Sequence, residues 1–229
     1  MTHKRTLLID ADDTLWENNI YFERVSVEFV TALGERGHHA NQVEQLLWDA
    51  DLRNIKTAGY GSKGFCQTLH EVTRELGASD LTAWIQQQED WIFHHPIELM
   101  PGVLETLPLL RASNQLILLT KGRQEEQLGK LERSGLAPFF HATEVAFEKN
   151  IETYRDLIAK HRLIPSQTWM IGNSPRSDIN PAKANGLGTI FIPYHTTWHH
   201  ELEDIPPDGN TVVLEHFGQL AEHFAAPLA

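Results

Sequence analysis

The sequence predicts an α/β protein with a Rossmann-like, doubly wound parallel sheet and an inserted helical domain. Short apolar runs alternate with helical patterns from about residue 97 onward, as expected for a parallel sheet. One further apolar run opens the chain at residues 5–10, and residues 20–96 show only helical patterns. We therefore expect a core domain at 1–19 and 97–229 and a helical cap domain at 20–96.

The apolar runs predict buried strands because they are continuous rather than alternating. These runs lie at 5–10, 115–120, 168–172 and 188–192, with a weak strand at 142–147 and an edge strand at 212–214. Four apolar stripes at helical spacing predict four helices in 20–96. Further helices are expected near 103–112, 123–134, 151–162 and 178–185. The insertion follows the first strand, near the carboxyl edge where such sheets bind ligands, so it is placed to act as a lid.

Composition excludes several classes of function. The chain has 229 residues and a net charge of −12, from 31 acidic residues against 19 Lys and Arg. This charge argues against binding to nucleic acid or to an acidic membrane surface. No apolar run is long enough to span a membrane, and the first apolar stretch is too short for a signal peptide. The single cysteine, Cys66, suits a reducing cytoplasm. Whether the protein is a monomer or a homodimer stays open.

The first strand runs directly into three acids, Asp10, Asp12 and Asp13. Carboxylates this close repel one another and raise one another's pKa. A bound cation, or a reaction that uses both protonation states, would relieve the conflict. The cluster therefore favours an enzyme.

Further polar and charged side chains that could take part in catalysis follow other strands, which the topology can place beside the first strand. The ends of the first, second and fourth strands can lie side by side, with a lysine placed before an intervening helix. Together these residues amount to a nucleophile, an acid/base, a hydroxyl donor, a cation and a metal-binding acid, as phosphoryl transfer through an aspartyl-phosphate requires. The residues are Asp10, Asp12, Thr120, Lys149, Asn173 and Asp178.

Four segments carry this set: Asp10-Ala11-Asp12-Asp13-Thr14-Leu15, Leu118-Leu119-Thr120, Glu148-Lys149-Asn150 and Gly172-Asn173-Ser174-Pro175-Arg176-Ser177-Asp178. In this order they resemble the four motifs of the haloacid dehalogenase superfamily, on its phosphatase side. The resemblance spans nearly the whole chain. The helical insertion resembles the C1-type cap of that superfamily.

The resemblance implies a hydrolase that acts on a small phosphorylated substrate with Mg²⁺ as cofactor. Asp10 would attack phosphorus, and Asp12 would protonate the leaving alkoxide and then activate water. Thr120 and the amide of Lys121 would hold phosphoryl oxygens, next to Gly122, and Lys149 would offset negative charge. Mg²⁺ would bind Asp10, the carbonyl of Asp12 and the fourth motif, at Asp178 and Asn173. Trp16 and Asn18 follow the catalytic loop and could shape the pocket.

The chain departs from the family pattern at two positions. Asn173 stands where the family usually has Asp, so metal would bind more weakly or Asp178 would become the main acidic ligand. Asp13 stands where Gly is typical, and we interpret it as a local turn or hydrogen-bonding residue. Two alternatives stay open: a catalytically weak relative that binds phosphate or a partner, and a 2-haloacid dehalogenase. The dehalogenases need no acid two positions after the nucleophile, so Asp12 favours phosphate chemistry.

The segment from Pro193 to Glu201 is rich in histidine. The spacing of His195 and His199 could place two imidazoles on one helical face for zinc, but no third ligand is evident in the sequence. A loop near the site, contacting substrate or a partner chain, is the alternative for this segment, as is an ordinary packing or surface role.

Overall fold

The computed structural model describes residues 5–207, 209 and 211–225. The chain divides into two compact units. The α/β unit comprises Met1–Asn19, Ile97–Lys121 and Gln127–Ala229, and the helical unit comprises Ile20–Pro96 and Gly122–Glu126. The first four and last four residues of the predicted core domain lie outside the described residues.

Four helices build most of the helical unit, as the periodicity predicts. They are α1 (Asn19–Gly34), α2 (Ala40–Ala58), α3 (Ser62–Glu75) and α4 (Thr82–His94). Their apolar stripes meet in one core, in which Phe29, Leu69 and Ile85 are fully buried. None of the helices in the described part of the chain is both long and apolar enough to cross a membrane.

Six parallel strands form the sheet of the α/β unit, which confirms the predicted fold class. They are β1 (Thr6–Ile9), β2 (Gln115–Lys121), β3 (Ala142–Ala146), β4 (Thr168–Gly172), β5 (Gly188–Phe191) and β6 (Thr211–Val213). Their order across the sheet is β3-β2-β1-β4-β5-β6. Strand β1 pairs with both β2 and β4, so the three strand ends expected to carry the chemistry are neighbours.

The central strands are mostly apolar because both faces of the sheet are covered. Successive side chains of a strand point to opposite faces. Leu7 and Ile9 accordingly belong to one core, and Leu8 belongs to the other. The first core is packed by helices α5 (Val103–Ser113), α6 (Gln124–Ser134) and α9 (Leu220–Ala225), and the second by α7 (Ile151–His161) and α8 (Asn180–Ala184).

One predicted helix differs in the structure. The pattern predicts a helix near 178–185, but α8 covers only Asn180–Ala184 and follows a π-helical turn at Pro175–Ile179. Single-turn π-helices of this kind are rare and are frequently found at functional sites. The turn projects side chains of the fourth motif toward the carboxyl end of β4.

Candidate active site

The site forms where β1 ends between its two neighbours. Ile9 is in register with Leu118 of β2 and Ile171 of β4, and the Asp10 amide continues the ladder by donating to the Ile171 carbonyl at 2.9 Å. The chain leaves the sheet at Asp10, so its carboxylate reaches the side chains that follow β4.

Both oxygens of the Asp10 carboxylate accept hydrogen bonds. Lys149 Nζ donates to Oδ1 at 2.5 Å, and Thr14 Oγ1 donates to Oδ2 at 3.0 Å. The same ammonium donates to Asp178 Oδ1 at 2.7 Å. Lys149 is only 3% exposed, so it is a buried cation shared by two buried carboxylates, and burying such a charge is tolerable only with partners of this kind.

The Asp10 carboxyl is held at a raised pKa of about 7. Burial is the largest cause, since removal from water disfavours the charged form. The negative charge of Asp178 adds to the increase, and Lys149 opposes it. One lysine therefore does not fully compensate two carboxylates, and further positive charge near Asp10 would favour its ionised form.

The Asp12 carboxylate lies in a different environment. It accepts hydrogen bonds from Trp16 Nε1 at 2.7 Å, from Gln127 Nε2 at 2.9 Å, and from Lys130 Nζ at 3.0 and 3.1 Å. Burial alone would raise the pKa of Asp12, but the Lys130 charge and these hydrogen bonds outweigh it and hold the pKa below its ordinary value. Asp12 is therefore a well-oriented carboxylate.

Asp13 has the local role expected from the sequence. Its carboxylate accepts hydrogen bonds from the backbone N–H groups of Asn18 at 2.8 Å and Asn19 at 3.0 Å, and Asn19 is the first residue of α1. It thus satisfies backbone donors at a helix start, which otherwise lack partners. Its φ of 59° is in the left-handed region, where Asp is better tolerated than most residues.

Two side chains of the fourth motif hold the π-helical turn. Ser174 Oγ accepts from the Ser177 amide at 2.9 Å, and Asp178 Oδ2 accepts from the Ser174 amide at 3.0 Å. Gly172 is required beside them, because a Cβ there would lie 2.1 Å from Asp178 Oδ2. Both oxygens of Asp178 thus already accept hydrogen bonds, one from Lys149 and one from the turn.

Asn173 is the side chain that the structure places beside the expected magnesium ligands. One end of its amide lies 3.2 Å from the Asp12 carbonyl oxygen and 3.3 Å from Asp10 Oδ2, and the other lies 3.0 Å from Thr197 Oγ1. With the amide oxygen turned inward, three oxygens converge. Their separations resemble the distance of about 3 Å between adjacent oxygens around Mg²⁺ at 2.0–2.1 Å. With the nitrogen inward, the amide donates to both neighbours instead.

These residues fit Mg²⁺, which prefers oxygen ligands and retains several waters. The amide of Asn173 adjoins both Asp10 Oδ2 and the Asp12 carbonyl, whereas the two Asp178 oxygens accept from Lys149 and the Ser174 amide. The metal-binding roles predicted for Asp178 and Asn173 stay predictions. Within the described ranges, no group of three His, Cys, Asp or Glu side chains is arranged to hold a metal, so the considered zinc site at His195 and His199 finds no third ligand there either.

The second motif points toward the same edge. Thr120 is buried, and its hydroxyl donates to Gln127 Oε1 at 3.1 Å. Lys121 Nζ donates to Ser177 Oγ at 2.9 Å and pairs with Glu201. Gly122 has a φ of 134°, which favours glycine, and it clusters with the helical unit. The predicted phosphate contacts of Thr120, Lys121 and Gly122 stay predictions.

Two of the residues predicted to shape the pocket are occupied by other partners. Trp16 has no exposed surface and donates to Asp12. Asn18 Oδ1 accepts from Lys130 Nζ at 2.7 Å. Trp16 therefore has no surface to offer a substrate in this structure. Asn18 is partly exposed, and its predicted place in the pocket stays a prediction.

The histidine-rich segment braces the fourth motif through its last residue. Glu201 accepts from Ser174 Oγ at 2.5 Å and also from the Ser177 hydroxyl and the Lys121 ammonium. Burial would raise the pKa of Glu201, but Lys121 and the two serines lower it to about 2. Thr197, earlier in this segment, contacts Asn173. The segment therefore acts here through Thr197 and Glu201, which the sequence did not single out.

Sequence reasoning also missed Thr14, Gln127 and Lys130. Thr14 lies in the first motif, so its position four residues after Asp10 was an available signal. Gln127 and Lys130 are three residues apart on α6 and share one helix face. On the sequence alone, polar residues at this spacing indicate a solvated face. Leu131 lies four residues after Gln127 and therefore on the same face, which is the weak sequence signal that this face is turned inward. In the structure Leu131 is buried.

The chain is similar to known proteins over most of its length. The family described as haloacid dehalogenase-like hydrolase matches residues 4–186. The chain is 23% identical over 206 residues to the HAD-hydrolase YfnB of Bacillus subtilis, covering 84% of this chain and 85% of that protein. It superposes with a TM-score of 0.84 on a haloacid dehalogenase-like family hydrolase from Xanthomonas campestris, at 25% identity over 97% and 95% of the two chains.

More distant structures share the fold. The magnesium-bound YfnB structure has a TM-score of 0.68 at 19% identity, over 98% and 100% of the two chains. The L-2-haloacid dehalogenase of Xanthobacter autotrophicus has a TM-score of 0.67 at 14% identity, over 99% and 100%. The match at residues 4–186 covers most of the sequence, and the chain belongs to the haloacid dehalogenase-like hydrolase family.

Proposed function

We propose that this hydrolase removes phosphate from a small phosphorylated metabolite, through an aspartyl-phosphate on Asp10 and with Mg²⁺ as cofactor. The observation that carries the proposal is the Asp12 carboxylate, two residues after the nucleophile and oriented by donors on three sides. A proton donor and acceptor at this point is what ester cleavage and acyl-phosphate hydrolysis both need.

In the first half-reaction, an oxygen of Asp10 forms a bond to phosphorus as the bond to the ester oxygen breaks. Asp12 gives its proton to the departing alkoxide, and an arriving phosphate dianion favours that proton on Asp12 by charge repulsion. Lys149, on Asp10 Oδ1, offsets the negative charge brought together by nucleophile and phosphate. Thr120, whose hydroxyl donates to Gln127 in the structure, would turn that proton toward a phosphoryl oxygen when substrate binds, since the hydroxyl has only one proton to donate.

In the second half-reaction, ionised Asp12 takes a proton from water as that water attacks the phosphorus of the aspartyl-phosphate. The P–O bond to Asp10 breaks, phosphate leaves and the Asp10 carboxylate is restored. The Lys130 charge favours the ionised form of Asp12 that this step uses.

Asp10 Oδ2, the Asp12 carbonyl and the Asn173 amide oxygen would hold the cofactor. When bound, Mg²⁺ supplies positive charge that orients and neutralises phosphate oxygens. Such a charge would also counter the raised pKa of Asp10. The magnesium reported for YfnB, a relative of this chain, supports the same cofactor.

A 2-haloacid dehalogenase is the second candidate. It is favoured by the Asn173 amide, which can donate to both Asp10 and the Asp12 carbonyl without a cation, and by the relatives that carry that name. Displacement of a halide needs no proton donor. A dehalogenase would therefore not need the four hydrogen bonds that orient the Asp12 carboxylate. A catalytically weak relative that binds phosphate or a partner is the third.

The test is hydrolysis of p-nitrophenyl phosphate and of a panel of about a hundred phosphorylated metabolites, with and without Mg²⁺. We expect Mg²⁺-dependent release of phosphate, and the panel would identify the substrate. Absence of turnover across several metals and the whole panel would contradict the proposal. A parallel assay measures halide release from 2-chloropropionate without metal, and release there would identify a dehalogenase. Absence of turnover in both assays would favour a protein that binds phosphate or a partner without catalysis.

A further inference from the structure

Helix α6 presents two buried polar side chains to the catalytic loop. Gln127 and Lys130 are 3% and 1% exposed and lie three residues apart, so they are neighbours on one face of the helix. A buried lysine is costly unless it is paired. Lys130 finds its partners 118 and 112 positions earlier in the chain, at Asp12 of the first motif and at Asn18, which follows that motif.

Lys130 spans the Asp12 carboxylate. Its Nζ lies 3.0 Å from Oδ1 and 3.1 Å from Oδ2, and it also donates to Asn18 Oδ1 at 2.7 Å. With Trp16 on Oδ1 and Gln127 on Oδ2, the carboxylate has a donor on each oxygen in addition to the lysine. Rotation of the carboxylate would break several of these bonds together, so its direction is fixed.

Gln127 links this carboxylate to the second motif. Its amide nitrogen donates to Asp12 Oδ2 at 2.9 Å, and its amide oxygen accepts from Thr120 Oγ1 at 3.1 Å. One side chain therefore relates the position of the acid/base to that of the hydroxyl expected to hold phosphate. Because α6 begins three residues after β2, the helix and the second motif are connected almost directly.

A purely structural ion pair is the simpler explanation for Lys130. Buried ion pairs contribute little net stability compared with apolar residues of similar volume, because desolvation offsets their attraction. Stability alone therefore does not explain a lysine at this position. It does not explain Gln127 either, whose side chain bridges Asp12 and Thr120.

We propose that Gln127 and Lys130, the α6 clamp, are positioning residues that aim the Asp12 carboxyl at the leaving-group oxygen. The clamp rests on the proposed phosphatase function. It acts through Asp12, without touching substrate, and its effect is greatest where the leaving group most needs a proton.

The test compares two esters in the Lys130→Met variant, which keeps the length of the side chain and removes its charge. p-Nitrophenyl phosphate has a stable leaving group that needs little protonation, whereas glycerol 2-phosphate releases an alkoxide that needs it. The ratio kcat/KM covers the steps up to departure of the leaving group. We expect a loss of about 100-fold on glycerol 2-phosphate, the size expected for a misplaced catalytic group, and a loss below about fivefold on p-nitrophenyl phosphate.

Three further variants make the result specific. Lys130→Arg keeps the charge and should restore most of the kcat/KM on glycerol 2-phosphate. Gln127→Leu should show the same leaving-group selectivity and carries the test if Lys130→Met does not fold. Lys160→Met, at a lysine whose side chain is 62% exposed, is the matched control and should leave both esters unchanged.

The outcomes separate the two proposals. Wild-type activity on both esters, with equal losses on the two in Lys130→Met and Gln127→Leu, would overturn the clamp and leave the phosphatase intact. Absence of wild-type activity on phosphate esters would overturn both. A selective loss on glycerol 2-phosphate, with an unchanged circular dichroism spectrum, supports the clamp.

Discussion

The carboxylates of Asp10 and Asp12 lie two residues apart in one loop, yet their surroundings shift their pKa values in opposite directions. Asp10 shares Lys149 with Asp178, and its pKa is raised to about 7. Asp12 has Lys130 and two neutral donors, and its pKa is lowered. The difference lies in the number of carboxylates per lysine. It shows that neighbouring acids receive separate chemical roles from the elements packed against them.

The largest effect is expected from removing the Asp10 carboxylate. Asp10→Asn should lower kcat by roughly 10⁴-fold or more, as the loss of a covalent nucleophile does, because an amide cannot form the aspartyl-phosphate. Steady-state kinetics with the best panel substrate measures this. Asp156→Asn, at an aspartate 77% exposed, is the matched control, and near-normal turnover in Asp10→Asn would show that the nucleophile is another group.

Removing the Asp12 carboxylate should cost less. Asp12→Asn should lower kcat/KM by about 10²–10⁴-fold, the usual contribution of general acid–base catalysis, with the larger loss on alkyl esters. Measurements with p-nitrophenyl and alkyl phosphates on the same preparation check this. Equal losses of kcat/KM on the two esters in Asp12→Asn would contradict the separate roles of Asp10 as nucleophile and Asp12 as proton donor.

Glu201 accepts hydrogen bonds from the turn that carries Asp178, and its lowered pKa predicts a contribution to folding stability. The Glu201 side chain is 12% exposed, and its pKa in the fold is about 2, against an ordinary value of 4.5. A lowered pKa means stability that is fully present above about pH 4.5 and lost as the pH falls toward 2. A difference of this size corresponds to roughly 3 kcal/mol.

Glu201→Gln should therefore unfold at lower denaturant concentration at pH 7, and its difference from the wild type should shrink from pH 5 toward pH 3. Urea unfolding at several pH values measures this. The control is Glu28→Gln, at a glutamate 42% exposed in a surface pair, where the expected change is below about 1 kcal/mol. A pH-independent difference at Glu201 would contradict the lowered pKa.

The smallest effect concerns the metal. Asn173→Asp adds a carboxylate beside Asp10 Oδ2 and the Asp12 carbonyl, so Mg²⁺ should bind more tightly, on the order of tenfold. Without metal, the new charge repels Asp10 and the amide donors are lost, so the melting temperature in EDTA should fall. Calorimetric titration and thermal unfolding with and without Mg²⁺ measure both. Unchanged metal affinity would mean that the cation lies elsewhere, with Asp178 as the next ligand to test.

The fold was predictable because its signals are local. Continuous apolar runs become strands buried on both faces, and stripes at helical spacing become the four helices around Phe29 and Leu69. The π-helical turn at Pro175–Ile179 was not predictable in this way, because hydrogen bonds of Ser174 and Asp178 produce it rather than a periodic pattern. The same holds for the contacts of Lys130, whose buried position depends on the packing of α6.

The sequence by itself determined the alternation of strands and helices, the helical insertion, the four motifs and, through them, the membership of the hydrolase family. These follow from residues close together in the chain and from strand ends that any parallel sheet brings to one edge. Only the tertiary structure decided that Asp178 shares Lys149 with Asp10 and that Lys130 pairs with Asp12. It also decided that Asn173 adjoins Asp10 and the Asp12 carbonyl, and that Glu201 pairs with Lys121. Those pairings join segments up to 163 positions apart, as Asp10 and Asn173 are, and such contacts depend on packing and charge burial rather than on local pattern.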